Sequence, residues 1–431
     1  MFVARKKMIM NQLRLLEILR DQKEELKGFA EQHFCERQEE SEIKMNSKKA
    51  QVVIGVRRSG KSVLCYNALS KAGVSYAYAN FDDERLSKLT SDELNDVLRC
   101  LYQIYGDVTH LFLDEVQNID GWHYFVNRML RQGMKVILTG SNAKLLSSEL
   151  STHLTGRYND IALLPFSFKE FCKIKAVDLS DSTTRTDALL RRAFDEYLQS
   201  GGFPEIVNGE EDAEEYIDDL AENIIGRDII QRFKVRYKDA FIKIANHMMN
   251  VAPCEVVYTT LQEDFNIKSD HTVQNYISYL YQAYLLIQIN KYSVKSKERI
   301  RNSKCYAVDV AFMNARKDAF AGENLGWRLE TVVLLELKRR YPLGYDIYYL
   351  KENSFEADFV VCRRSTVLEI IQVSYDIEAP KTYRREINGL IRASEITHCD
   401  NLKLITAYTE KTVTEQTKKI EILPCYKWLL R

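Results

Sequence analysis

The chain has 431 residues, of which 45% are apolar and 28% are charged, a composition typical of a soluble globular protein with two or three domains. Lysine plus arginine and aspartate plus glutamate number 61 each, which excludes a bulk positive charge as the basis of nucleic-acid binding. The nine cysteines form no C-x-x-C pair, as expected for reduced thiols rather than for disulfides or structural zinc.

The N-terminus meets charged residues too early for a signal peptide, and no apolar run approaches the length of a membrane span. We therefore expect a cytoplasmic protein without a membrane partner. Residues 1–48 are predicted to form a charged helical segment. In residues 49–165, short β-branched runs alternate with helical stretches, a pattern that predicts right-handed βαβ crossovers and a mostly parallel sheet. Three further segments follow: an almost wholly helical one (166–238), a helix–helix–helix–strand module (239–315) and a separate α/β unit (316–431).

The first strand of the parallel sheet ends in the run GVRRSGKS, residues 55–62. Its glycines, lysine and serine fit the P-loop pattern in full, which predicts backbone N–H groups around a β-phosphate at a helix N-terminus. Lys61 is expected to reach the β- and γ-phosphates, and the Ser62 hydroxyl to ligate magnesium. The expected cofactors are ATP and Mg²⁺, and the predicted nucleotide-binding residues of this run are Gly55, Arg58, Ser59, Gly60, Lys61, Ser62 and Val63. The alternative is a glycine-rich turn that binds no nucleotide.

A second motif, HLFLDE, places two acids at the end of an apolar strand, where doubly wound sheets bind ligands. Asp114 is predicted to hold the magnesium shell, and Glu115 to orient and deprotonate the attacking water. Two acids that merely cap a strand are the alternative. The next strand, KVILTGSN, ends in Ser141 and Asn142, which are candidates for sensing the γ-phosphate.

Beyond these motifs, the runs GVRRSGKS, FLDEVQNIDGW, LTGSN, LTGRY, LPFSFKEF and GGFPE resemble a group of prokaryotic AAA+-type ATPases. These proteins are usually described as ATP-binding proteins with a C-terminal domain of uncertain function that resembles restriction endonucleases. The resemblance covers nearly the whole chain from about residue 50. It implies an α/β fold with an AAA+ parallel-sheet domain, a helical lid, a winged helix and a nuclease-like C-terminal domain.

The resemblance also implies roles for single residues. Arg157 in LTGRY is a candidate arginine finger that reaches a neighbour's ATP, which implies a homo-oligomer; the alternative is a surface or packing arginine. Gly202 and Pro204 in GGFPE resemble an element that packs beside adenine, although an interhelical turn would have the same composition. Arg227 is a candidate lid sensor.

The predicted module over 239–315 resembles a winged helix, with a second helix that begins at Ser269 or Asp270. Its two strands flank the basic stretch KSKERIRNS, which predicts non-specific phosphate binding by Lys295, Lys297, Arg299, Arg301 and Lys304. The start of the second helix offers no arginine to read guanine, only His271, Thr272, Gln274 and Asn275. DNA contact and a protein-docking or lid-coupling role both stay open.

Restriction-like nucleases hold a metal ion with a helix acid, a strand aspartate and a Glu-x-Lys on the next strand. This chain has Glu330, Asp358 and then Gln372-Val373-Ser374, so an acid and the lysine are replaced. A hairpin centred near Ser365 would place Asp358 opposite Gln372, with Glu369 on the other face. The sequence therefore predicts a magnesium-dependent ATPase that acts as a nucleotide-gated switch, with DNA as a candidate partner. The alternative is an ATP-gated, metal-dependent DNA endonuclease of the PD-(D/E)xK type.

Overall fold

The architecture was taken from a computed structural model. It describes residues 2–30, 34–142, 154, 156–179, 183–293, 302–314, 316, 324–342 and 344–431. The chain divides into two compact units, residues 1–163 and 164–431, which are described in turn. The predicted segments 166–238, 239–315 and 316–431 all fall in the second unit, and their mutual boundaries stay predictions.

The first unit contains four described helices and a sheet. The helices are α1 (Phe2–Ala30), α2 (Lys61–Ala72), α3 (Leu94–Tyr105) and α4 (Trp122–Arg131), and short 3₁₀ turns cover Gln38–Glu42, Glu84–Leu86, Ser91–Glu93 and Val116–Asn118. The strands are β1 (Ala50–Ile54), β2 (Tyr76–Asn80), β3 (His110–Asp114), β4 (Lys135–Gly140) and β5 (Tyr158–Ala162). Among the described residues they form one sheet in the order β2-β3-β4-β1-β5, and every pairing is parallel. The predicted parallel sheet is confirmed.

The strands of this sheet are apolar because both of its faces are covered. Every residue of β1 and β3 is buried, as is usual for parallel strands between helical layers. On one face, Leu64 and Leu69 of α2 pack in a cluster with Val53 and Phe112. Helix α1 contributes a buried apolar stripe of its own, formed by Leu15, Ile18 and Leu19.

The order of the strands determines what meets at one edge of the sheet. Strand β4 lies between β1 and β3, so the carboxyl ends of all three are adjacent. The loop after β1, the acids after β3 and the polar residues after β4 therefore converge, as ligand-binding loops do in open α/β sheets.

The second unit is helical at first and then mixed. Its described helices are α5 (Phe168–Ile174), α6 (Thr184–Ser200), α7 (Pro204–Asn208), α8 (Ala213–Asn223), a π-helical stretch (Ile224–Gln231), α9 (Lys238–Val251), α10 (Tyr258–Asp264), α11 (Asp270–Gln282), α12 (Ala311–Asn314), α13 (Leu325–Arg340), α14 (Pro380–Thr397) and α15 (Cys425–Trp428). Its strands are β6 (Cys254–Glu255), β7 (Leu286–Lys291), β8 (Ser303–Ala307), β9 (Asp346–Glu352), β10 (Phe355–Arg363), β11 (Thr366–Val373), β12 (Leu402–Thr406), β13 (Lys411–Glu415) and β14 (Lys418–Pro424).

These nine strands form a single mixed sheet in the order β13-β14-β12-β11-β10-β9-β7-β8-β6. Strand β7 pairs in parallel with β9 through Asn290 and Tyr348, so the strands of the predicted 239–315 module continue into the sheet of the 316–431 segment. Helix α14 lies tightly on one face: a Cβ atom on Gly389 would fall 2.8 Å from the carbonyl oxygen of Glu356. Leu390 and Ile391 of this helix pack there against Val360 and Ile370.

Within the described ranges, no helix combines the length and the apolar character that crossing a bilayer would need.

Candidate functional site

The loop between β1 and α2 has the close approaches that its glycines predict. A Cβ atom on Gly55 would fall 2.1 Å from the carbonyl oxygen of Leu163, so no larger residue fits there. Gly60 has a φ of +90° immediately before Lys61 begins α2, a conformation that glycine adopts at little cost. Arg58 also has a positive φ, 68°, and is exposed, whereas Ser59 is fully buried. Ser62 and Val63 lie half-buried in the first turn of α2.

The Lys61 ammonium is buried at the mouth of this loop, with 5% of the residue exposed. Its Nζ donates a hydrogen bond of 3.0 Å to the carbonyl oxygen of Val56 and lies 3.6 Å from Oε1 of Glu115. Both partners are oxygen atoms, so phosphate oxygens can replace them without leaving the ammonium unpaired.

Asp114 is buried at the end of β3 and is held from three sides. Thr139 and Ser62 donate side-chain hydrogen bonds to its carboxylate, and the Tyr78 hydroxyl lies 3.2 Å from its Oδ2. Burial and the charge of Glu115 raise the pKa of Asp114 above its ordinary value, and the bonds from Thr139 and Ser62 only partly offset this. A buried carboxylate that lacks a full positive counter-charge is a suitable ligand for a cation.

Glu115 follows with a φ of +50°, a left-handed conformation that is uncommon outside glycine. Its Oε2 accepts hydrogen bonds from the Ser141 backbone N–H at 3.0 Å and from the Ser141 hydroxyl at 2.9 Å, and a third from Gln117. Burial raises the pKa of Glu115, but the Lys61 ammonium and these hydrogen bonds outweigh it, so the pKa lies below its ordinary value. Glu115 is therefore ionised and fixed in orientation.

Thr139 completes the network and was missed by the sequence reasoning. Its hydroxyl accepts a hydrogen bond of 3.0 Å from the Glu115 backbone N–H while it donates to the Asp114 carboxylate, so it fixes both acids. The only available signal was a lone threonine after the apolar run of residues 136–138, two residues before Ser141. Asn142, the other predicted sensor, is buried beside Ser141. Arg57 of the loop pairs with Asp82 at 2.6 Å.

Arg157 lies apart from this network. It precedes β5, and its carbonyl oxygen accepts a hydrogen bond from the Ala50 N–H, at the start of β1. The P-loop follows the other end of β1, so Arg157 lies at the opposite edge of the sheet. Its guanidinium is exposed, with Nη1 3.4 Å from Oδ1 of Asn127.

The remaining predicted nucleotide residues belong to the second unit. A Cβ atom on Gly202 would fall 2.2 Å from the carbonyl oxygen of Phe166, and the Gly202 N–H donates to Oδ2 of Asp309 at 3.0 Å. Pro204 begins α7. The backbone N–H at the first position of a helix has no intrahelical acceptor, so a proline there sacrifices no hydrogen bond. Close packing within the unit thus accounts for the glycine. Arg227 is exposed in the π-helical stretch.

The second unit contains a cavity of about 610 Å³ beside the nine-stranded sheet. Lys304 lines it, 7% exposed, with Nζ 2.7 Å from Glu330, 3.0 Å from Glu356 and 3.8 Å from Asp358. The prediction that Lys304 belongs to an exposed phosphate-binding tip is wrong, because Lys304 is buried in strand β8 and its side chain pairs with the cavity carboxylates Glu330, Glu356 and Asp358. Lys295, Lys297, Arg299 and Arg301 lie outside the described residues.

Asp358 and Gln372 face each other as the predicted hairpin register requires. The Asp358 N–H donates to Oε1 of Gln372 at 3.2 Å, the Gln372 amide donates to Glu386 at 2.9 Å, and the Val373 N–H donates to Oδ2 of Asp358 at 2.8 Å. Burial and the neighbouring Glu330 raise the pKa of Asp358 well above its ordinary value. Ser374 also lines the cavity.

Glu369 has other partners, Tyr341 and Lys403, as expected for a side chain on the opposite face of the sheet.

At the start of α11, His271 and Gln274 are exposed, Thr272 is half-buried, and the Asn275 amide lies 3.2 Å from the His271 ring. Among the residues that the structure describes, no three His, Cys, Asp or Glu side chains are grouped as a ready-made set of metal ligands.

Comparison with known proteins agrees with this geometry. The family model described as an AAA domain matches residues 47–172, and one described as a domain of unknown function matches residues 191–323. An uncharacterised protein of Methanocaldococcus jannaschii is 33% identical over 404 residues, which cover 90% of each chain. An uncharacterised protein of Haemophilus influenzae is 31% identical over 399 residues, 88% of this chain and 94% of the other.

Solved structures are similar at lower identity. A Walker-type ATPase of Pyrococcus abyssi is 14% identical and covers 65% of this chain and 95% of its own, with a TM-score of 0.40. The RuvB Holliday junction branch migration motor of Thermotoga maritima is 17% identical, covering 56% of this chain and 81% of its own, with a TM-score of 0.29.

The parallel sheet, the P-loop after its first strand and the Asp-Glu pair at the end of its third define the P-loop ATPase fold of the AAA+ type. The chain belongs to the prokaryotic AAA+-type family that includes the M. jannaschii and H. influenzae proteins, and the resemblance inferred from its motifs is confirmed.

Proposed function

We propose that this protein binds ATP with magnesium, hydrolyses it slowly and acts as a nucleotide-gated switch. One observation supports this most: Lys61, Asp114, Glu115 and Ser141 form a single network at the carboxyl edge of the sheet. The loop approaches at Gly55 and Gly60 also suit a phosphate cradle. Bound magnesium supplies charge compensation for the phosphates, and Ser62 and Asp114 are the residues that would hold it.

Each side chain of the network has a task in this proposal. Lys61 exchanges the Val56 carbonyl and the Glu115 carboxylate for phosphate oxygens when nucleotide enters. Glu115, kept ionised and oriented by Ser141, accepts a proton from the attacking water. Because Lys61 then no longer neutralises Glu115, nucleotide binding changes the contacts of both groups, and this exchange is the basis of the proposed switch.

Separate measurements of ATP binding and ATP hydrolysis test this proposal. Wild-type protein is expected to show a thermal shift with ATP and magnesium that Lys61→Ala loses. Glu115→Gln should bind ATP at least as tightly, since a negative charge near the phosphates is removed, yet hardly hydrolyse it. Lys88→Ala, an exposed lysine of the same unit, is the matched control and should behave as wild type. Absence of any shift in the wild type would contradict the proposal.

A second candidate function, metal-dependent cleavage of DNA, is favoured by the position of Lys304. The sequence lacks a lysine at Ser374, but the Lys304 ammonium from β8 lies between Glu330 and Asp358. Three carboxylates surround this one ammonium, so negative charge is in excess. Magnesium is commonly held by one or two carboxylates with water and substrate phosphate, so Glu330 and Asp358 would suffice as its protein ligands. Lys304 would then stabilise negative charge on the phosphate.

Cleavage of plasmid and of single-stranded DNA, with magnesium or manganese plus ATP, tests this candidate. We expect loss in Asp358→Ala and in Lys304→Met, and retention in Glu395→Gln, an exposed acid on α14. Cleavage that survives Asp358→Ala would come from a contaminant, and no cleavage by the wild type would refute the candidate. Lys61→Ala separates the two activities: cleavage kept in that variant would be independent of nucleotide.

A further inference from the structure

Two cysteines face each other at the edge of the nine-stranded sheet. Cys254 of β6 is paired directly with Cys305 of β8 in the antiparallel ladder, and their sulfur atoms are 3.6 Å apart. The ladder continues through the Val256 N–H, which donates to the carbonyl oxygen of Ser303 at 2.9 Å. The two thiols are therefore held in register by the backbone.

This geometry is close to that of a disulfide. Directly opposed residues of antiparallel strands have Cα atoms about 4.5–5.5 Å apart, inside the range of about 4.4–6.8 Å found for disulfides. The sulfur atoms must approach to about 2.0 Å. Strand β6 has two residues and lies at the edge of the sheet, so this approach displaces little ordered structure.

The two thiols differ in exposure and in pKa, the two properties that decide which thiol attacks in thiol–disulfide exchange. Cys254 is half-buried, and the hydrogen bond from the Cys305 thiol, together with the charge of Lys304, lowers its pKa against the effect of burial. Cys305 is fully buried, and its hydrogen bond to Cys254 and its burial raise its pKa well above the ordinary value. Cys254 is therefore the thiol that is both reachable and more often a thiolate.

We propose that Cys254 and Cys305 are a reversible dithiol–disulfide site that exchanges with small disulfides such as glutathione disulfide. The Cys254 thiolate attacks one sulfur of glutathione disulfide, the S–S bond of that molecule breaks, and one glutathione thiolate leaves. Cys305 then loses its proton and attacks Sγ of Cys254, which releases the second glutathione. Two protein thiols are oxidised, and one glutathione disulfide is reduced to two thiols.

The location of this site links it to the acidic cavity. Pro253 and Lys304, the chain neighbours of the two cysteines, both line the cavity. Successive residues of a strand point to opposite faces, so the cysteines lie behind the wall that carries Lys304. A cross-link there restrains β6 and β8 together, and with them the strand that positions the Lys304 ammonium.

The experiment uses the full chain equilibrated at graded ratios of reduced to oxidised glutathione, followed by alkylation and peptide mapping. Wild type is expected to lose two of its nine thiols, to yield a peptide that joins Cys254 to Cys305, and to recover both thiols in dithiothreitol. Hydrogen exchange over residues 303–307 should slow in the oxidised form. Cys35→Ser, in the other unit, is the matched control and should still form the cross-link.

Two variants make the test decisive. Cys305→Ser should accumulate glutathione on Cys254, because the second step is blocked. Cys254→Ser keeps the buried thiol, which should then stay reduced at ratios that oxidise the wild type. If Cys305→Ser fails to fold, Cys254→Ser alone decides. Two-thiol loss that maps to other cysteines, or that persists in Cys254→Ser, would overturn the proposal, as would no loss at strongly oxidising ratios.

Discussion

At the level of single atoms, Ser141 contributes, with Lys61 and Gln117, to the charge state of Glu115. Its hydroxyl and its N–H both donate to the same carboxylate oxygen, and these bonds help to keep the pKa of Glu115 below its ordinary value although the group is buried. An ionised carboxylate held in one orientation is what a general base requires.

This contact predicts a shifted pH profile for Ser141→Ala. Loss of the hydroxyl leaves the effect of burial in place, so the pKa of Glu115 rises and the base protonates at higher pH. The acid limb of ATP turnover should move to higher pH. Turnover near neutrality should also be roughly tenfold slower, because the carboxylate loses part of its fixed orientation, and this is part of the ~10²–10⁴ that a general base contributes. Steady-state rates across pH measure this, with Ser70→Ala, an exposed serine of α2, as control. An unchanged acid limb would exclude Glu115 as the titrating base.

The same scale shows why some residues could be predicted and others could not. Lys61, Asp114 and Glu115 stand next to strand ends in short motifs, so their proximity follows from the order of parallel strands. Lys304 could not be placed, because its partners Glu330 and Asp358 are distant in sequence. Next to other basic residues, it had the pattern of an exposed hairpin tip.

At the level of elements, Asp309 joins the turn before α7 to the start of α12. Its carboxylate accepts the N–H groups of Gly202 at 3.0 Å and Ala311 at 2.8 Å, and burial raises its pKa to about 6 despite these bonds. The GGFPE pattern leaves two interpretations here, an element beside adenine and an interhelical turn. The partner that fixes the turn is far along the chain and had no local signal.

Asp309 predicts a pH dependence of stability. Its folded pKa lies above the ordinary value of 3.8, so the folded state binds the proton more tightly than the unfolded state does. Stability from this group is therefore greatest at low pH and falls as pH rises from about 4 to about 6, by on the order of 3 kcal/mol. Urea denaturation of wild type and Asp309→Asn across this range should show a steeper fall in the wild type, because the other carboxyl groups with raised pKa, such as Asp114 and Asp358, titrate in both proteins. Parallel pH curves for the two proteins would contradict it.

At the level of the whole molecule, Arg157 raises the question of assembly. It lies at the opposite edge of the sheet from the P-loop and is exposed, so it is unsuited to its own chain's nucleotide and available to a second copy. Its contact with Asn127 at 3.4 Å is long enough to exchange.

A finger supplied by a neighbouring chain predicts complementation between two inactive variants. Arg157→Ala should bind ATP normally but hydrolyse it roughly a thousandfold more slowly, because the guanidinium stabilises charge that develops only during phosphoryl transfer. Mixing it with Lys61→Ala should restore activity, since each chain supplies what the other lacks. Specific activity should also rise with protein concentration. A monomer in ATP with concentration-independent activity would assign Arg157 a structural role.

The single nine-stranded sheet of the second unit limits where the chain can be cut to produce separate fragments. A fragment that stops at residue 315 would keep β7 and its pairing with β8 but lose β9, so the β9-facing edge of β7 at Asn290 and Lys291 would be left open. A fragment that begins at 316 would expose the matching edge of β9. Open sheet edges of this kind recruit other chains and aggregate. If either fragment is insoluble, the reason is that the cut separates β7 from β9. The second unit should therefore be produced from residue 164 onward as one piece.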